Sequence, residues 1–227
     1  MVIVALIMHV ILTLLSVDPP TPFTVTGITW YYGSYTEPLG NYTHIYTGAG
    51  INSTITVNIN DDTSIPINVS YTLSIKNYTV QGSWTLQPGG ENSFNITVPA
   101  LAKGSYNASL SLSSVGYSLN YYFMVSSVVP GIVINTTATK LYSGVSQVIT
   151  LNITNSTPIP ISSALITIVG TGVVISNNMI TIRPPISENI TVIPGPYSLG
   201  TASITFRISY TDAGGVIRGM RMKHSPS

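Results

Sequence analysis

The sequence predicts an all-β protein made of two tandem β-sandwiches, and a repeat, its period and its strand pattern carry that prediction. The thirteen residues that begin at Ile55 return at Ile149, 94 positions later, with eight of them identical and no gap. A solenoid repeat runs about 20–50 residues, whereas one β-sandwich domain takes about 100. In both copies apolar residues alternate with polar ones, the period of a strand with one buried face. The chain is therefore predicted to hold two copies of one domain.

The first element is an apolar stretch over residues 1–15, interrupted by His9 and Thr13. It is short for a membrane span, which takes about 20 residues, and it suits the apolar part of a signal peptide. No basic residue precedes it, and Ser16-Val17-Asp18 makes a poor cleavage site. Residues 1–16 are thus either a cleaved signal peptide or an N-terminal membrane anchor. Either alternative places residues 20 onward outside the cytoplasm, after a Pro-rich spacer over residues 17–22.

Seven segments of the first copy combine β-branched and aromatic residues with a two-residue period, which indicates strands. They span residues 23–32, 51–60, 68–75, 83–86, 91–98, 104–113 and 117–125. Turn signals rich in Gly, Pro and Asp separate several of them, as at Asp61-Asp62 and Pro88-Gly89-Gly90. Seven strands at this spacing predict one sandwich over residues 23–128.

The second copy begins at Pro130-Gly131 and repeats the pattern. Its predicted strands span residues 132–138, 146–154, 162–169, 172–176, 179–182, 188–193, 200–211 and 216–222. They predict a second sandwich over residues 129–222, followed by a tail over residues 223–227. Because no segment after residue 15 has a helical period, the predicted fold class is two tandem Ig-like β-sandwich domains after a short N-terminal apolar helix.

Several short motifs carry a family resemblance. They are the Leu-x-Pro-Gly turn at 86–89, the Asn-Ile-Thr-Val-Pro run at 95–99, the Gly-Ser-Tyr-Asn-Ala-Ser-Leu run at 104–110 and the Tyr-x-Asp-x-x-Gly hairpin at 210–215. With these the chain resembles archaeal S-layer-domain-like cell-envelope proteins built from CARDB-type Ig-like modules. The first domain departs from the pattern, because the segment at Tyr117 lacks the Asp and the paired Gly. The resemblance implies an Ig-like fold, and such modules serve adhesion, cell-envelope and enzyme-accessory roles alike.

Composition excludes several classes of function. Charged residues are only 7% of the chain, against about 25% in a typical domain. The net charge of +1 argues against nucleic acid as a partner, because nucleic-acid binding needs a dense basic patch. The chain has no cysteine, which excludes disulfides, thiolate metal sites and Cys catalysis. Three of its eight Lys and Arg residues lie close together near the C-terminus, either as a solvated end or as a contact for anionic lipid or a partner.

The candidates for catalysis and metal binding are few. Asp61-Asp62 is the one carboxylate pair, and a turn is favoured over a calcium loop because the second copy has the uncharged Asn155-Ser156 there. The three histidines have no ligand neighbour at a useful spacing. His44 with either aspartate could form part of a Ser hydrolase site, but no Gly-x-Ser-x-Gly elbow is present. We expect no enzyme activity, no metal and no cofactor.

Two sets of residues are candidate sites. An aromatic cluster before the first repeated strand has no counterpart in the second copy and lies in and beside a predicted loop over residues 33–50. Packing in the core or at a domain edge is favoured for it over an interaction surface for protein or sugar. The cluster is Trp30, Tyr31, Tyr32, Tyr35, Tyr42 and Tyr46. The second set is the N-glycosylation sequons, at Asn41, Asn52, Asn68, Asn77, Asn95, Asn107, Asn135, Asn152, Asn155 and Asn189.

Together these observations predict a non-enzymatic protein of the cell surface or envelope, exported by its N-terminal segment, that acts as a structural or adhesive interaction module. Its expected partners are other envelope proteins or surface glycans, with the membrane a further one through residues 1–15. Two alternatives are a filament subunit that assembles by β-strand donation and a carbohydrate-binding or enzyme-accessory module.

Overall fold

The computed structural model describes residues 21–137, 142–195 and 203–224. Within these residues it has seventeen strands and no helix, which confirms the all-β prediction. The expected signal peptide or anchor, with His9 and most of the Pro-rich spacer, lies outside the described residues. In the described ranges no helix is long and apolar enough to cross a membrane.

Nine strands form the first sandwich. They are β1 (Phe23–Tyr32), β2 (Tyr35–Pro38), β3 (His44–Gly48), β4 (Ser53–Asp61), β5 (Ile67–Ile75), β6 (Tyr78–Leu86), β7 (Glu91–Val98), β8 (Gly104–Ser114) and β9 (Tyr117–Val128). One sheet has the order β2-β1-β4-β7 and the other the order β3-β9-β8-β5-β6. Their facing sides enclose one core of buried residues, in which Ile55, Val69 and Leu110 are fully buried.

Eight strands form the second sandwich. They are β10 (Ile132–Thr136), β11 (Gln147–Asn155), β12 (Ile161–Thr171), β13 (Val173–Ile175), β14 (Met179–Ile182), β15 (Ile186–Pro194), β16 (Ser203–Asp212) and β17 (Ile217–His224). One sheet has the order β10-β11-β15-β13 and the other the order β14-β12-β16-β17. A separate core lies between them.

The sequence repeat corresponds to a repeat of topology. β4 lies between β1 and β7 just as β11 lies between β10 and β15, and the order β9-β8-β5-β6 matches β17-β16-β12-β14. Seven strands are therefore equivalent in the two sandwiches. The apolar positions of the repeated strand face the cores as predicted, because all six are at most 1% exposed: Ile55, Val57, Ile59, Ile149, Leu151 and Ile153. Burying each of these side chains contributes about 1.5–3 kcal/mol.

The segment over residues 33–50, predicted as a loop, contains two strands instead. β2 pairs with the end of β1, and β3 runs parallel to the end of β9. Both strands are four or five residues long and lie at sheet edges, where pairing on one side gives little sequence signal. This insertion has no counterpart among the described residues of the second sandwich, and it brings Tyr35 and Tyr46 to the boundary between the two.

Strand β6 is also longer than predicted, since it begins at Tyr78 rather than at residue 83. It pairs with β5 along its full length. Gly82 interrupts the strand pattern in the sequence, yet it lies within β6 because the ring of Tyr71 occupies the space beside it. A Cβ at Gly82 would come within 2.6 Å of that ring, so the glycine marks a close approach rather than a break.

Candidate functional site

The six aromatic residues of the predicted cluster separate into three groups. Trp30 belongs to the core of the first sandwich, where it is 1% exposed and packs edge-on against Phe123 with 6.4 Å between ring centroids. Tyr32 is completely buried. Both side chains point inward on β1 because they are two residues apart on a strand. Both residues are therefore structural, in line with the core or domain-edge packing that the sequence favoured, and the alternative of an interaction surface is corrected for these two.

Tyr32 lies at the junction between the two sandwiches. Its ring fits between two glycines, because a Cβ would come within 2.1 Å of it at Gly48 and within 2.4 Å at Gly214. Its hydroxyl donates a 3.2 Å hydrogen bond to Oδ2 of Asp212 in the second sandwich. Next to it, the backbone N–H of Ser34 donates to the carbonyl of Ala213 at 2.9 Å. Ring packing and hydrogen bonds across the boundary hold the two sandwiches together.

Asp212 is the centre of this junction. Its side chain is fully buried, a costly position for a charge unless hydrogen bonds satisfy it. Oδ1 accepts from the backbone N–H groups of Gly214 at 3.0 Å and Val216 at 3.1 Å. Oδ2 accepts from Tyr32 and from Nε of Arg218 at 2.9 Å. One carboxylate thus shapes the β16–β17 turn and binds the first sandwich.

Electrostatics at the junction favour the protonated phenol. Burial raises the pKa of Tyr32 above its ordinary value, and the negative charge of Asp212 raises it further, while Arg218 opposes this in part. The neutral Tyr32 hydroxyl is therefore kept as a hydrogen-bond donor at physiological pH.

Tyr35 and Tyr46 support the junction from the insertion. The Tyr35 hydroxyl donates to Oε1 of Glu37, and the other oxygen of Glu37 accepts the backbone N–H of Tyr46 at 2.8 Å. Burial, followed by the bond to Glu37, raises the pKa of Tyr35. Both rings pack against the small cluster in which Tyr32 meets Ile159 of the second sandwich. These two tyrosines are half-buried parts of the junction.

Tyr42 and Tyr31 remain at the surface, at 89% and 36% exposure. Tyr42 lines a groove of about 440 Å³ whose other walls include Tyr122, Met124, His44 and Asn107. Tyr122 is 56% exposed and Met124 37%. The groove therefore presents two tyrosine rings and a thioether to solvent, a combination that suits contact with a sugar face or an apolar partner.

The backbone at Tyr42 is held in an unusual conformation. Its φ of 61° lies in the left-handed region, which side chains other than Gly, Asn and Asp rarely adopt. Two hydrogen bonds fix it: the N–H of Tyr42 donates to the carbonyl of Tyr122 at 2.6 Å, and the N–H of Tyr122 donates to Oδ1 of Asn41 at 2.9 Å. Lys76 and Val115 share this conformation in hairpin turns, so the exposed tyrosine pair, rather than the backbone alone, makes the groove the strongest candidate site on the described surface.

His44 is placed beside serines but away from the aspartates. Its Nε2 lies 2.7 Å from Oγ of Ser126, and its ring stacks on Tyr46. Asp61 ends β4 at the opposite end of the sandwich and accepts the N–H of Thr63 at 2.8 Å in a turn. The hydrolase arrangement considered from the sequence is therefore not assembled among the described residues. No three His, Asp or Glu side chains meet as a metal site in those ranges.

The sequon asparagines are mostly at the surface. Nine are exposed and Asn155 is half-buried. In four cases Oδ1 accepts a 2.8 Å bond from a neighbouring hydroxyl, which leaves the amide nitrogen free to carry a glycan: Asn68, Asn95, Asn152 and Asn189. Those within strands lie on three of the four sheets, and the sheet β14-β12-β16-β17 carries none.

Sequence reasoning missed two residues that matter most here. Asp212 was visible only as part of the Tyr-x-Asp-x-x-Gly hairpin, without a role for its carboxylate. Tyr122 lies in the predicted strand at 117–125, and nothing local places it opposite Tyr42, 80 positions earlier. The parallel pairing of β3 with β9 brings them together, and sequence periodicity does not report parallel partners.

Comparisons with known proteins find only distant structural likenesses. No protein-family model matches the chain, and neither does a curated protein. Red sea bream transglutaminase is similar in structure, with a TM-score of 0.36 and 11% identity over 90% of this chain and 31% of that one. Escherichia coli alpha-2-macroglobulin activated by porcine elastase has a TM-score of 0.31 and 12% identity over 92% of this chain and 22% of that one. The chain spans less than a third of either protein, and neither likeness carries an argument about function.

Proposed function

We propose that the protein is a non-enzymatic component of the cell surface or envelope, in which two Ig-like sandwiches act as a structural or adhesive interaction module. The observation that carries this proposal is the locked junction. A linker between independent domains would be polar and flexible, whereas here a buried tyrosine, a buried carboxylate and two close-packed glycines join the sandwiches. A fixed orientation is what a spacer or a presenting scaffold requires.

The contact surface in this proposal is the groove between Tyr42 and Tyr122. Tyrosine rings give rigid contact area at a low cost in side-chain entropy, and the fixed backbone at Tyr42 means that little ordering is needed on binding. The expected partners are other envelope proteins or surface glycans. The apolar segment over residues 1–15 supports export, and the exposed sequons are compatible with a glycosylated surface.

A carbohydrate-binding or accessory module is the second candidate, and the same groove favours it. Aromatic rings that flank a groove suit a sugar ring, because the rings cover its apolar face. If the Asn107 sequon is left unglycosylated, its amide can also hydrogen-bond the sugar hydroxyls. Assembly by strand donation has less support. All seven shared strands are present in each sandwich among the described residues, so no gap is open for a donated strand.

Binding to isolated envelopes tests the proposal. Purified protein is mixed with envelopes from the cells that produce it, and the bound fraction is measured for wild type and for Tyr42→Ala with Tyr122→Ala. Tyr142→Ala is the matched control, since Tyr142 is 65% exposed in the second sandwich and does not line the groove. We expect the double variant to lose about tenfold or more in affinity, on the scale of an interface hot spot, while the control binds normally. Equal binding by all three proteins would overturn the groove as the contact surface. Competition by a simple sugar would favour the second candidate.

A further inference from the structure

The outer face of the sheet β14-β12-β16-β17, here called the basic face, carries an unusual pair of charges. Arg207 on β16 and Arg221 on β17 lie directly opposite one another in the antiparallel register, and Lys223 opposes Thr205 next to them. All three basic side chains are exposed. Like charges in direct cross-strand positions destabilise a sheet, so this arrangement has a cost within the isolated molecule.

No acidic side chain on the same face relieves that cost. The outward positions on the adjoining strands are apolar or uncharged, with Leu165, Thr167 and Val169 on β12 and Met179 on β14. Ile217, on β17 itself, is 76% exposed. The basic face thus combines positive charge with exposed apolar residues, it ends in the edge strand β17, and none of the sequons lies on it. These are the properties of a docking surface for an anionic protein partner.

The first sandwich carries a complementary group of charges, here called the acidic end. Asp62 and Glu91 are exposed and are both anchored by hydroxyls of β1. Thr24 donates to Oδ2 of Asp62 at 2.5 Å, and Thr26 donates to Oε1 of Glu91 at 3.2 Å. The described part of the first sandwich holds four carboxylates and two lysines, whereas the described part of the second holds five Arg and Lys residues and two carboxylates.

Both charged groups lie away from the junction. The acidic end lies beside the start of β1, and the opposed arginines lie midway along β16 and β17 on the outer face. Thr24 is eight residues from Tyr32 along β1, which is about 27 Å at 3.4 Å per residue. Arg207 is five residues from Asp212 along β16, about 17 Å by the same measure, and Lys223 lies further out. Because the locked junction makes the two sandwiches one rigid molecule, the acidic end and the opposed arginines are held at a fixed distance from each other.

We propose that the basic face of one molecule binds the acidic end of a second copy of the same chain. The contact is heterologous, since different surfaces meet, and it therefore extends head to tail into a chain of molecules unless it closes into a ring. Charge complementarity selects this partner, because the acidic end supplies two preoriented carboxylates for the opposed arginines. This inference goes beyond the proposed function and does not depend on the groove.

Sedimentation velocity of the purified full chain tests the proposal. It is run at about 0.01 M and about 1 M salt, where charges act over about 30 Å and about 3 Å. We expect concentration-dependent species larger than the 24.2 kDa monomer at low salt and monomer at high salt. Two charge-reversed variants, Arg207→Glu with Arg221→Glu and Asp62→Lys with Glu91→Lys, should each be monomeric at low salt. The control Lys76→Glu with Lys103→Glu makes the same change in net charge as the arginine variant, but elsewhere on the molecule, and should still associate.

Mixing the two reversed variants gives the decisive result. The arginine variant then has two acidic surfaces, and the variant at Asp62 and Glu91 has two basic ones. The two variants should therefore bind each other in alternation and restore the large species. Should either variant misfold by circular dichroism, Arg221→Gln with Lys223→Gln and Asp62→Asn with Glu91→Gln test the same surfaces one at a time and should each weaken association at least tenfold. The proposal fails if wild type is monomeric at low salt, or if the mixture stays monomeric. Wild type that stays monomeric but binds anionic lipid vesicles through the arginines would assign the basic face to a membrane instead.

Discussion

A methyl group added at Gly48 should break the junction while leaving both cores intact. The new Cβ would lie 2.1 Å from the ring of Tyr32, well inside the 3.5–4.0 Å of an ordinary carbon contact. The backbone cannot give way easily, because Gly48 pairs with Val128 of β9. The ring must therefore leave its site. Displacing a fully buried ring costs about 1.5–3 kcal/mol, and losing its hydrogen bond to Asp212 costs about 1 kcal/mol more.

Denaturant unfolding followed by tryptophan fluorescence measures this effect, since both tryptophans, Trp30 and Trp84, lie in the first sandwich. We expect Gly48→Ala to lower the free energy of unfolding of the first sandwich by about 2.5–4 kcal/mol. Gly90→Ala is the matched control, because its Cβ would meet nothing within 4 Å and it shares the effect of Gly→Ala on the unfolded chain. If the two variants agree within about 0.5 kcal/mol, which is the usual range of neutral surface changes, Tyr32 does not lock the junction.

Three further predictions concern the junction and the core. Asp212→Ala should destabilise the second sandwich by about 3–5 kcal/mol, because it leaves the partly buried Arg218 without its partner; calorimetry that shows less than 1 kcal/mol of change would contradict this. Tyr32 adds a pH dependence: since its pKa is raised by burial and by Asp212, its contribution is fully present below the unfolded value of about 10 and is lost as the pH rises through the folded pKa. Wild type should therefore lose stability relative to Tyr32→Phe above about pH 10 in alkaline denaturation, and parallel curves would refute the raised pKa. Ile153→Asp places a charge in a fully buried position and should abolish the cooperative melt of the second sandwich; a retained melt would remove Ile153 from the core.

The strands and buried positions that depend on local sequence pattern were predicted correctly. Alternation placed Ile55, Val57 and Ile59 correctly inside, and the repeat implied the same for the second copy, because a strand's side chains alternate strictly between two faces. Most strand positions followed from turn residues. Short edge strands did not, since β2 and β3 hold four and five residues and pair with partners far along the chain. Local composition does not indicate which distant strand such a short strand pairs with.

The candidate site was harder to predict, because its residues meet only in three dimensions. The second copy has one aromatic residue, Tyr142, between the equivalent strands, and this asymmetry drew attention to the cluster in the first copy. It could not distinguish Tyr32, which fills the junction, from Tyr42, which faces solvent, although both lie in one stretch of sequence. That difference comes from the inward parity of β1 and from the left-handed backbone at Tyr42. Asp212 needed the fold as well, since its four hydrogen bonds come from both sandwiches.

The presenting scaffold and the separation of charge both require a fixed orientation between the two sandwiches, and a distance distribution tests that directly. The chain has no cysteine, so Gln81→Cys and Thr181→Cys, both exposed and in different sandwiches, can carry one spin label each. Pulsed electron paramagnetic resonance should give a single narrow distance in wild type, and a broad distribution once Gly48→Ala is added. A broad distribution in wild type, equal to that of the variant, would show that the sandwiches move independently and would contradict the locked junction.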